Sequence, residues 1–250
     1  MFPTLPERIN VLLTGASGGI GQALCHALLD EPQVARVIAV SRRPLALDEH
    51  DPRGIAEPLQ ADLTAAEGRA ALADHLDGAP LHLIVNTLGM LHDDAAGIAP
   101  EKRLEDLDPG ALARLFEVNA ATPALLLQAL LPSLKGTHPA YFASLSARVG
   151  SIADNRLGGW YAYRASKAAH NMLLSTAAVE FKRLNRRLCV LCLHPGTTDT
   201  ALSAPFQARV PDGKLFTPDF VAERLLAVIA ERSADDSGGF WDWAGDPIPW

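Results

Sequence analysis

Several features are scarce in this chain of 250 residues, and each scarcity excludes a class of protein. Three cysteines are too few for a disulfide framework, and they indicate a reducing compartment such as the cytoplasm. The 22 basic residues are outnumbered by 29 acidic ones, so a nucleic-acid binder that relies on phosphate contacts is not expected. No apolar run approaches the roughly 18 residues of a membrane span, and the N-terminus lacks the basic and apolar regions of a secretory signal.

The remaining composition is that of an ordinary globular protein. Hydrophobic residues make up 48% of the chain and charged residues 20%, which excludes disordered and fibrous architectures. Two of the cysteines, Cys189 and Cys192, form a C-x-x-C inside an apolar run. Side chains three apart in a strand point to opposite faces, so we expect buried structural thiols and no metal site.

Short apolar runs alternate with longer segments of helical period along the whole chain. Strands are predicted at 9–14, 34–40, 57–60, 81–87, 140–144, 188–193 and 239–243, and helices at 19–29, 65–75, 109–131, 161–184 and 218–231. The strands are continuously apolar, which is typical of a parallel sheet covered on both faces. Because no linker interrupts the alternation, we expect one α/β domain over residues 1–250, with a mostly parallel seven-stranded sheet and helices on both faces.

Glycines follow the first predicted strand directly and open the first predicted helix, in the segment Thr14-Gly15-Ala16-Ser17-Gly18-Gly19-Ile20-Gly21. Missing side chains let the backbone approach a pyrophosphate, and the N–H groups at a helix N-terminus attract its charge. The context favours a dinucleotide site over a plain turn, and with it a Rossmann-type doubly wound fold. Nucleoside triphosphate hydrolysis is not expected, because no Lys-Ser or Lys-Thr follows the last glycine.

The end of the second predicted strand bears on which dinucleotide is bound. An acidic residue about 20 positions beyond the glycines would bind the ribose hydroxyls of NAD, but the chain has Ser41-Arg42-Arg43 there. Guanidinium groups suit a 2′-phosphate, with which they form charge-assisted hydrogen bonds. We therefore expect a preference for NADP(H), with NAD(H) as the weaker cofactor. The alternative is that both arginines are solvated on a surface loop.

Tyr163 and Lys167 lie four residues apart in the helix predicted at 161–184, and therefore on one face of it. A tyrosine of ordinary pKa, near ~10, exchanges protons poorly at neutral pH, and a nearby ammonium lowers that pKa. The pair can thus donate a proton to a carbonyl, or take one from an alcohol, as hydride moves. Tyr161 is a poorer candidate, because Ala165 occupies the corresponding position after it.

Further short motifs follow the later strands or lie in the helices. They are Asp62-Leu63, Asn86-Thr87-Leu88-Gly89, Phe116-Glu117-Val118-Asn119 and Pro195-Gly196-Thr197-Thr198-Asp199-Thr200. Singly, each has a plain structural interpretation: Asp62 can cap a helix, Asn119 can be an exposed amide and Pro195-Gly196 can be a turn. Their joint order makes coincidence improbable.

Together these motifs resemble the short-chain dehydrogenase/reductase family, and the resemblance covers essentially the whole chain. It implies that Asn119 supports a proton relay through the lysine. It also implies cofactor contacts at Gly15, Ser17, Gly19, Ile20, Gly21, Arg42, Arg43, Asp62, Leu63, Asn86, Gly89, Tyr163, Lys167, Pro195, Gly196, Thr198 and Thr200. A chain of this length is too short for the C-terminal substrate region of the family's extended branch, which favours the simple reductase type.

The serine that the family uses to bind the substrate oxygen departs from its usual spacing. Thirteen residues before Tyr163 is Gly150, whereas the segment 143–151 offers three serines. Ser146 best matches the end of the fifth strand, Ser144 is the second choice and Ser151 the third. The stretch from this segment to Lys167 particularly resembles the C-factor-like and sniffer-like carbonyl reductases.

Two segments, 92–107 and 199–218, fit no regular element. The second follows the sixth strand and so lies beyond the carboxyl ends of the strands, where open α/β sheets bind ligands. We expect it to be a substrate lid, with Leu202, Phe206 and Phe216 contacting a rather hydrophobic carbonyl compound. The alternative is that these side chains pack against the domain or a partner subunit.

The resemblance implies NADP(H)-dependent reduction of an aldehyde or ketone, or oxidation of the corresponding alcohol. Tyr163 would act as general acid or base, Ser146 would polarise the substrate oxygen, and Lys167 would tune the tyrosine and hold the ribose. The alternative is a signalling or redox-sensing module that binds a dinucleotide without catalysis. Loss of the tyrosine or lysine would mark such a module, and both are present. The helices at 109–131 and 161–184 are too hydrophobic to be fully solvated on one side, and the resemblance implies that they pair across the interface of a homodimer or homotetramer.

Overall fold

The computed structural model of the chain describes residues 2–47 and 50–250. Its strands are β1 (Ile9–Thr14), β2 (Val34–Ser41), β3 (Ala56–Gln60), β4 (Leu83–Asn86), β5 (Ala140–Leu145), β6 (Leu188–His194), β7 (Thr197–Thr198), β8 (Leu215–Phe216) and β9 (Gly239–Asp242). Its α-helices are α1 (Gly19–Asp30), α2 (Ala66–Leu76), α3 (Pro109–Phe116), α4 (Thr122–Ala129), α5 (Leu131–Leu134), α6 (Tyr161–Leu184) and α7 (Pro218–Ala230).

Seven of the described strands form one sheet in the order β3-β2-β1-β4-β5-β6-β9. Every pair of neighbours in it is parallel. The chain builds outward from β1 to β3 and then returns to the other side of β1 with β4, so the strand order reverses between β1 and β4. The predicted doubly wound α/β fold is confirmed. Ligands of such sheets bind at this reversal, beyond the carboxyl ends of the strands.

Apolar side chains fill a layer on each face of the sheet. Successive residues of a strand point to opposite faces, so Leu13 packs in the layer formed with α1 and α7, whereas Leu12 packs in the layer formed with α2, α4 and α6. The two cysteines of the C-x-x-C divide in the same way: Cys189 lies in the first layer and Cys192 in the second. Both are buried and unbonded, as predicted.

The long helix predicted at 109–131 is interrupted. A wider π turn, Glu117–Ala121, separates α3 from α4. Pro123 has no N–H to donate to the carbonyl of Asn119, four residues earlier, so the regular helical bond is lost there. The Nδ1 of His170 on α6 donates to this carbonyl instead, at 2.9 Å. Within the described residues, no helix is both long and apolar enough to cross a membrane.

A buried chain of hydrogen bonds joins the carboxyl ends of three central strands. Thr14 Oγ1 donates to Asn86 Oδ1 at 2.6 Å, and Asn86 Nδ2 donates to Ser144 Oγ at 2.7 Å. All three side chains are fully buried. One residue from each of β1, β4 and β5 is thus held in register at the edge where ligands bind.

We expect Asn86→Leu to lower the free energy of unfolding by about 1–3 kcal/mol, because Thr14 and Ser144 keep buried hydroxyls without their amide partner. Urea unfolding followed by circular dichroism measures this loss. The triple variant Thr14→Val, Asn86→Leu, Ser144→Ala should regain most of it, since no polar group then remains unpaired. A single variant as stable as the wild type would show that the chain contributes nothing to the fold.

Candidate active site

A cleft of about 830 Å³ runs along the carboxyl edge of the sheet. It is formed by the loops that follow six strands and by side chains of α3 and α6. The predicted site residues that line it are Gly15, Ser17, Gly19, Ile20, Gly21, Arg42, Arg43, Asp62, Leu63, Gly89, Ser146, Tyr163, Lys167, Pro195 and Thr200. Four others, Asn86, Asn119, Gly196 and Thr198, lie behind its wall.

The glycine turn between β1 and α1 has little space for side chains. Gly15 has φ +76°, and a Cβ on Gly21 would lie 2.2 Å from the Gly15 carbonyl oxygen. A Cβ on Gly19 would lie 2.7 Å from Thr200 Cγ2, so the turn also lies close to the loop after β6. The first turn of α1 therefore presents bare backbone to the cleft, and this arrangement fits a pyrophosphate group.

A cluster of charged side chains lies in the part of the cleft formed by the loops after β2 and β3. Arg42 is exposed beside the cleft, and Arg43 Nη2 donates to the Ser17 carbonyl oxygen at 3.2 Å. Burial works against ionisation of Asp62, but hydrogen bonds from Thr64 and the charges of Arg42 and Arg114 hold its pKa below the usual value. This end of the cleft therefore offers cations to a phosphate and a carboxylate to hydroxyl or amino groups, which suits the adenosine half of a dinucleotide.

The helix α6 carries Tyr163 and Lys167 into the cleft wall. Lys167 Nζ donates to the Leu145 carbonyl oxygen at 2.9 Å and lies 5.9 Å from the centre of the Tyr163 ring. Burial lowers the pKa of Lys167 to about 8 and raises that of Tyr163 to about 12. Burial of the phenol thus shifts the tyrosine pKa in the direction opposite to the lowering expected from the ammonium, and the effect of Lys167 on this pKa stays a prediction.

The three candidate serines occupy different surroundings. Ser146 lines the cleft together with Tyr163. Ser144 accepts the hydrogen bond from Asn86 inside the sheet, and Ser151 Oγ accepts from the Asp154 N–H at 3.1 Å. Of the three candidate serines, Ser146 is thus the one that lines the cleft, and its role toward a substrate stays a prediction.

Asn119 connects the loop after β4 to α6 from behind the cleft. Its Oδ1 accepts from Met90 N at 2.7 Å, and its Nδ2 donates to the Met90 carbonyl oxygen at 2.8 Å and to Ser166 Oγ at 3.0 Å. The side chain is fully buried. This position excludes the exposed-amide interpretation, whereas a role in a proton relay remains a prediction.

The segment 199–218 contributes unevenly to the cleft. Leu202 lines it, as expected of a lid. The ring of Phe206 lies 5.1 Å from that of Trp160 and 5.8 Å from that of His92, beside the cleft. Phe216 is not among the residues that line the cleft and packs against the core, with its ring centre 4.5 Å from that of Trp243, as the alternative interpretation expects. Gly196 at φ +77° and Thr198 in β7 form the base of this segment beneath Phe216.

Several residues that line the cleft were missing from the sequence-based prediction of the site. The additional lining residues are Thr87, Leu88, Met90, Leu91, His92, Asp93, Asp94, Arg114, Val118 and Thr122. Most belong to the irregular stretch after β4, whose departure from helical or strand pattern was the available signal. Arg114 and Val118 have no local signal, because only the packing of α3 beside the sheet brings them to the cleft. In the described part of the chain, no group of three metal-ligating side chains could hold a metal ion.

Comparison with known proteins agrees with this geometry. A family model described as short chain dehydrogenase matches residues 9–210. The protein named C-signal from Myxococcus xanthus is 32% identical over 180 residues, which are 72% of this chain and 99% of that protein. The NADPH-bound carbonyl reductase from chicken fatty liver superposes with a TM-score of 0.83 at 25% identity, over 98% of this chain and all of that one.

The carbonyl reductase Sniffer of D. melanogaster has the same fold, with a TM-score of 0.82 at 22% identity over 97% of this chain and 100% of that one. The family model covers most of the chain, and its match begins at β1 and extends into the segment after β6. The chain belongs to the short-chain dehydrogenase/reductase family.

Proposed function

We propose that this protein is an NADP(H)-dependent oxidoreductase that reduces an aldehyde or ketone, or oxidises the corresponding alcohol. The observation that carries the proposal is one cleft lined both by the glycine turn and by Ser146, Tyr163 and Lys167. The chicken carbonyl reductase, which is similar over nearly the whole chain, binds NADPH. Arg42 and Arg43 at the adenosine end support the same cofactor here.

Different side chains of the cleft have different roles in the proposed reaction. Bound NADPH supplies the hydride. The Tyr163 phenol is protonated at neutral pH and is the group that can donate a proton to the carbonyl oxygen; burial raises its pKa, so this donation depends on the neighbouring Lys167 ammonium. The Lys167 ammonium stabilises the phenolate that remains and has N–H groups to hold the ribose. The Ser146 hydroxyl binds the substrate oxygen, and Asn119 fixes the loop and helix between which the proton relay runs.

The substrate end of the cleft is largely apolar. Met90, Leu91 and Leu202 line the cleft, and Leu91 packs in one buried cluster with Tyr163. This lining supports a rather hydrophobic carbonyl compound as substrate, with segment 199–218 acting as the lid.

The proposal treats residues 1–250 as one catalytic domain, since cofactor and substrate residues come from the same sheet. Exposed apolar side chains support a homodimer or homotetramer: Met172 on α6 is 68% exposed, and Leu125 on α4 is 37% exposed. Three buried, unbonded cysteines agree with a reducing compartment such as the cytoplasm.

A second candidate function is signalling or redox sensing by dinucleotide binding without turnover. The similarity to C-signal, whose name denotes a signal, is the observation that favours it. The presence of both Tyr163 and Lys167 in the cleft favours catalysis. Following NADPH absorbance with a panel of aldehydes, ketones and quinones separates the two: consumption supports catalysis, whereas binding without consumption supports the sensor.

Removing the Tyr163 hydroxyl tests the proposed chemistry. We expect Tyr163→Phe to lower kcat for carbonyl reduction by at least about 100-fold, because the proton donor is lost, while NADPH binding stays within about two-fold. Tyr161→Phe is the matched control, since this exposed tyrosine lies two residues earlier on the same helix. Substantial turnover by Tyr163→Phe would sink the assignment of Tyr163 as the acid.

The pH dependence of carbonyl reduction is expected to follow the protonation of Lys167. Its lowered pKa means that the ammonium is present below pH of about 8 and is lost above it, while Tyr163 keeps its proton through that range. We expect kcat/KM for carbonyl reduction to be level at neutral pH and to fall as the pH rises through about 8, because the neutral amine no longer stabilises the phenolate. A profile that stays flat to about pH 9.5 would contradict this role of Lys167.

Cofactor preference is tested at the arginines. We expect Arg42→Ala and Arg43→Ala each to raise KM for NADPH by about 10-fold through loss of a charge-assisted hydrogen bond, and to leave KM for NADH unchanged. Arg36→Ala is the control, because Arg36 lies earlier on β2 and pairs with Glu57 outside the cleft. Equal effects on both cofactors would exclude a 2′-phosphate contact.

A further inference from the structure

The hydroxyl of Ser146 makes a hydrogen bond that the proposed mechanism does not use. Its Oγ donates to Oδ1 of Asn171 at 2.6 Å. Both side chains are buried, with 3% and 2% of their surface exposed. Asn171 lies one helical turn after Lys167 and two turns after Tyr163, so the three residues lie on one face of α6.

In this hydrogen bond the serine proton points to Asn171, whereas carbonyl reduction requires it to point to the substrate oxygen. A hydroxyl has one proton to donate, and here it is directed to Asn171. While it stays there, Ser146 can only accept at its oxygen, and it cannot donate to a carbonyl oxygen on which negative charge develops.

The amide of Asn171 is also incompletely satisfied in this orientation. Within the described residues, its Nδ2 is buried and has no hydrogen-bond partner. Burying an amide nitrogen without an acceptor is unfavourable. A half-turn about the terminal torsion, for which an asparagine has two comparable settings, places Nδ2 on Ser146 Oγ. The serine then accepts from Asn171, and its own proton is free to turn into the cleft.

We propose that Asn171 is a positioning residue for Ser146, which turns its amide nitrogen onto Oγ when substrate is present and thereby directs the serine proton to the substrate oxygen. The inference rests on the proposed function, since it requires Ser146 to bind that oxygen. A hydroxyl that accepts one hydrogen bond also donates a stronger one, so the amide strengthens the polarisation of the carbonyl. Asn171 itself touches neither substrate nor cofactor.

Two substitutions of similar size separate this role from simple packing. Asn171→Asp keeps the shape but replaces the amide nitrogen by a second oxygen, so the side chain can only accept and holds the serine proton away from the substrate. Asn171→Leu removes the hydrogen bond altogether and leaves the serine free to turn. For carbonyl reduction with saturating NADPH, we expect kcat to fall about 100-fold in Asn171→Asp and about 10-fold in Asn171→Leu, with KM for NADPH within about two-fold of wild type.

The same substitutions in a Ser146→Ala background are the control for effects that bypass the serine. If Asn171 acts through Ser146, each should then change kcat by less than about two-fold. A persistent loss would mean that the new carboxylate disturbs Lys167 or Tyr163 directly, and it would overturn the proposal. Thermal unfolding of every variant shows whether the fold is kept, and Asn171→Leu decides alone if Asn171→Asp does not fold.

The outcomes remain distinguishable from failure of the proposed function. If the wild-type protein binds NADPH but reduces no carbonyl compound, the function is wrong and the role of Asn171 with it. If the wild type is active and Asn171→Asp is as active as wild type, an acceptor alone suffices at this position and only the role of Asn171 is wrong. If the kcat of Asn171→Leu equals that of the wild type, the proposed role of Asn171 is likewise wrong.

Discussion

The packing of helix α6 across the carboxyl ends of β5 and β6 is the contact on which the site depends. The turn at 148–150 lies so close to the helix that a Cβ on Gly150 would be 2.8 Å from Lys167 Cβ. Lys167 Nζ fixes the same point by its bond to the Leu145 carbonyl oxygen. With the helix held there, Tyr163, Lys167 and Asn171 face Ser146 and the cleft. A shift of the helix by one residue would turn all of them away together.

The opposite wall of the cleft depends on a second set of contacts, which lies next to Pro123. Pro123 removes one helical hydrogen bond, and the widened turn that results turns the Asn119 side chain toward the loop after β4. The Nδ1 of His170 on α6 donates a hydrogen bond to the Asn119 carbonyl oxygen, which lacks its regular helical partner. Burial lowers the pKa of His170 to about 3, so the ring is neutral and has a single N–H, which this bond uses. The two walls of the cleft are thereby joined through one helix.

The parts of this arrangement that could be predicted from the sequence are those with a local pattern. Continuous apolar strands, the glycine turn and the four-residue spacing of Tyr163 and Lys167 each depend on neighbours in the chain, and the fold and those positions followed from them. The π turn could not be predicted, because its carbonyl acceptor and its histidine donor are 51 residues apart. The position of Arg114 near Asp62 and the packing of Phe216 against the core likewise depend on contacts between distant elements.

The charges that line the cleft also could not be predicted from the composition of the whole chain. The chain carries a net charge of −7, and three guanidinium groups, of Arg42, Arg43 and Arg114, line the cleft near Asp62, with the carboxylates of Asp93 and Asp94 elsewhere in its lining. Within the cleft wall, burial raises the pKa of Tyr163 and lowers that of Lys167, whose Nζ donates to a backbone oxygen. A phenol held in its protonated form is the state that carbonyl reduction consumes, whereas alcohol oxidation must begin from the phenolate. Burial of Tyr163 therefore holds its phenol in the protonated form unless a neighbouring charge offsets that burial.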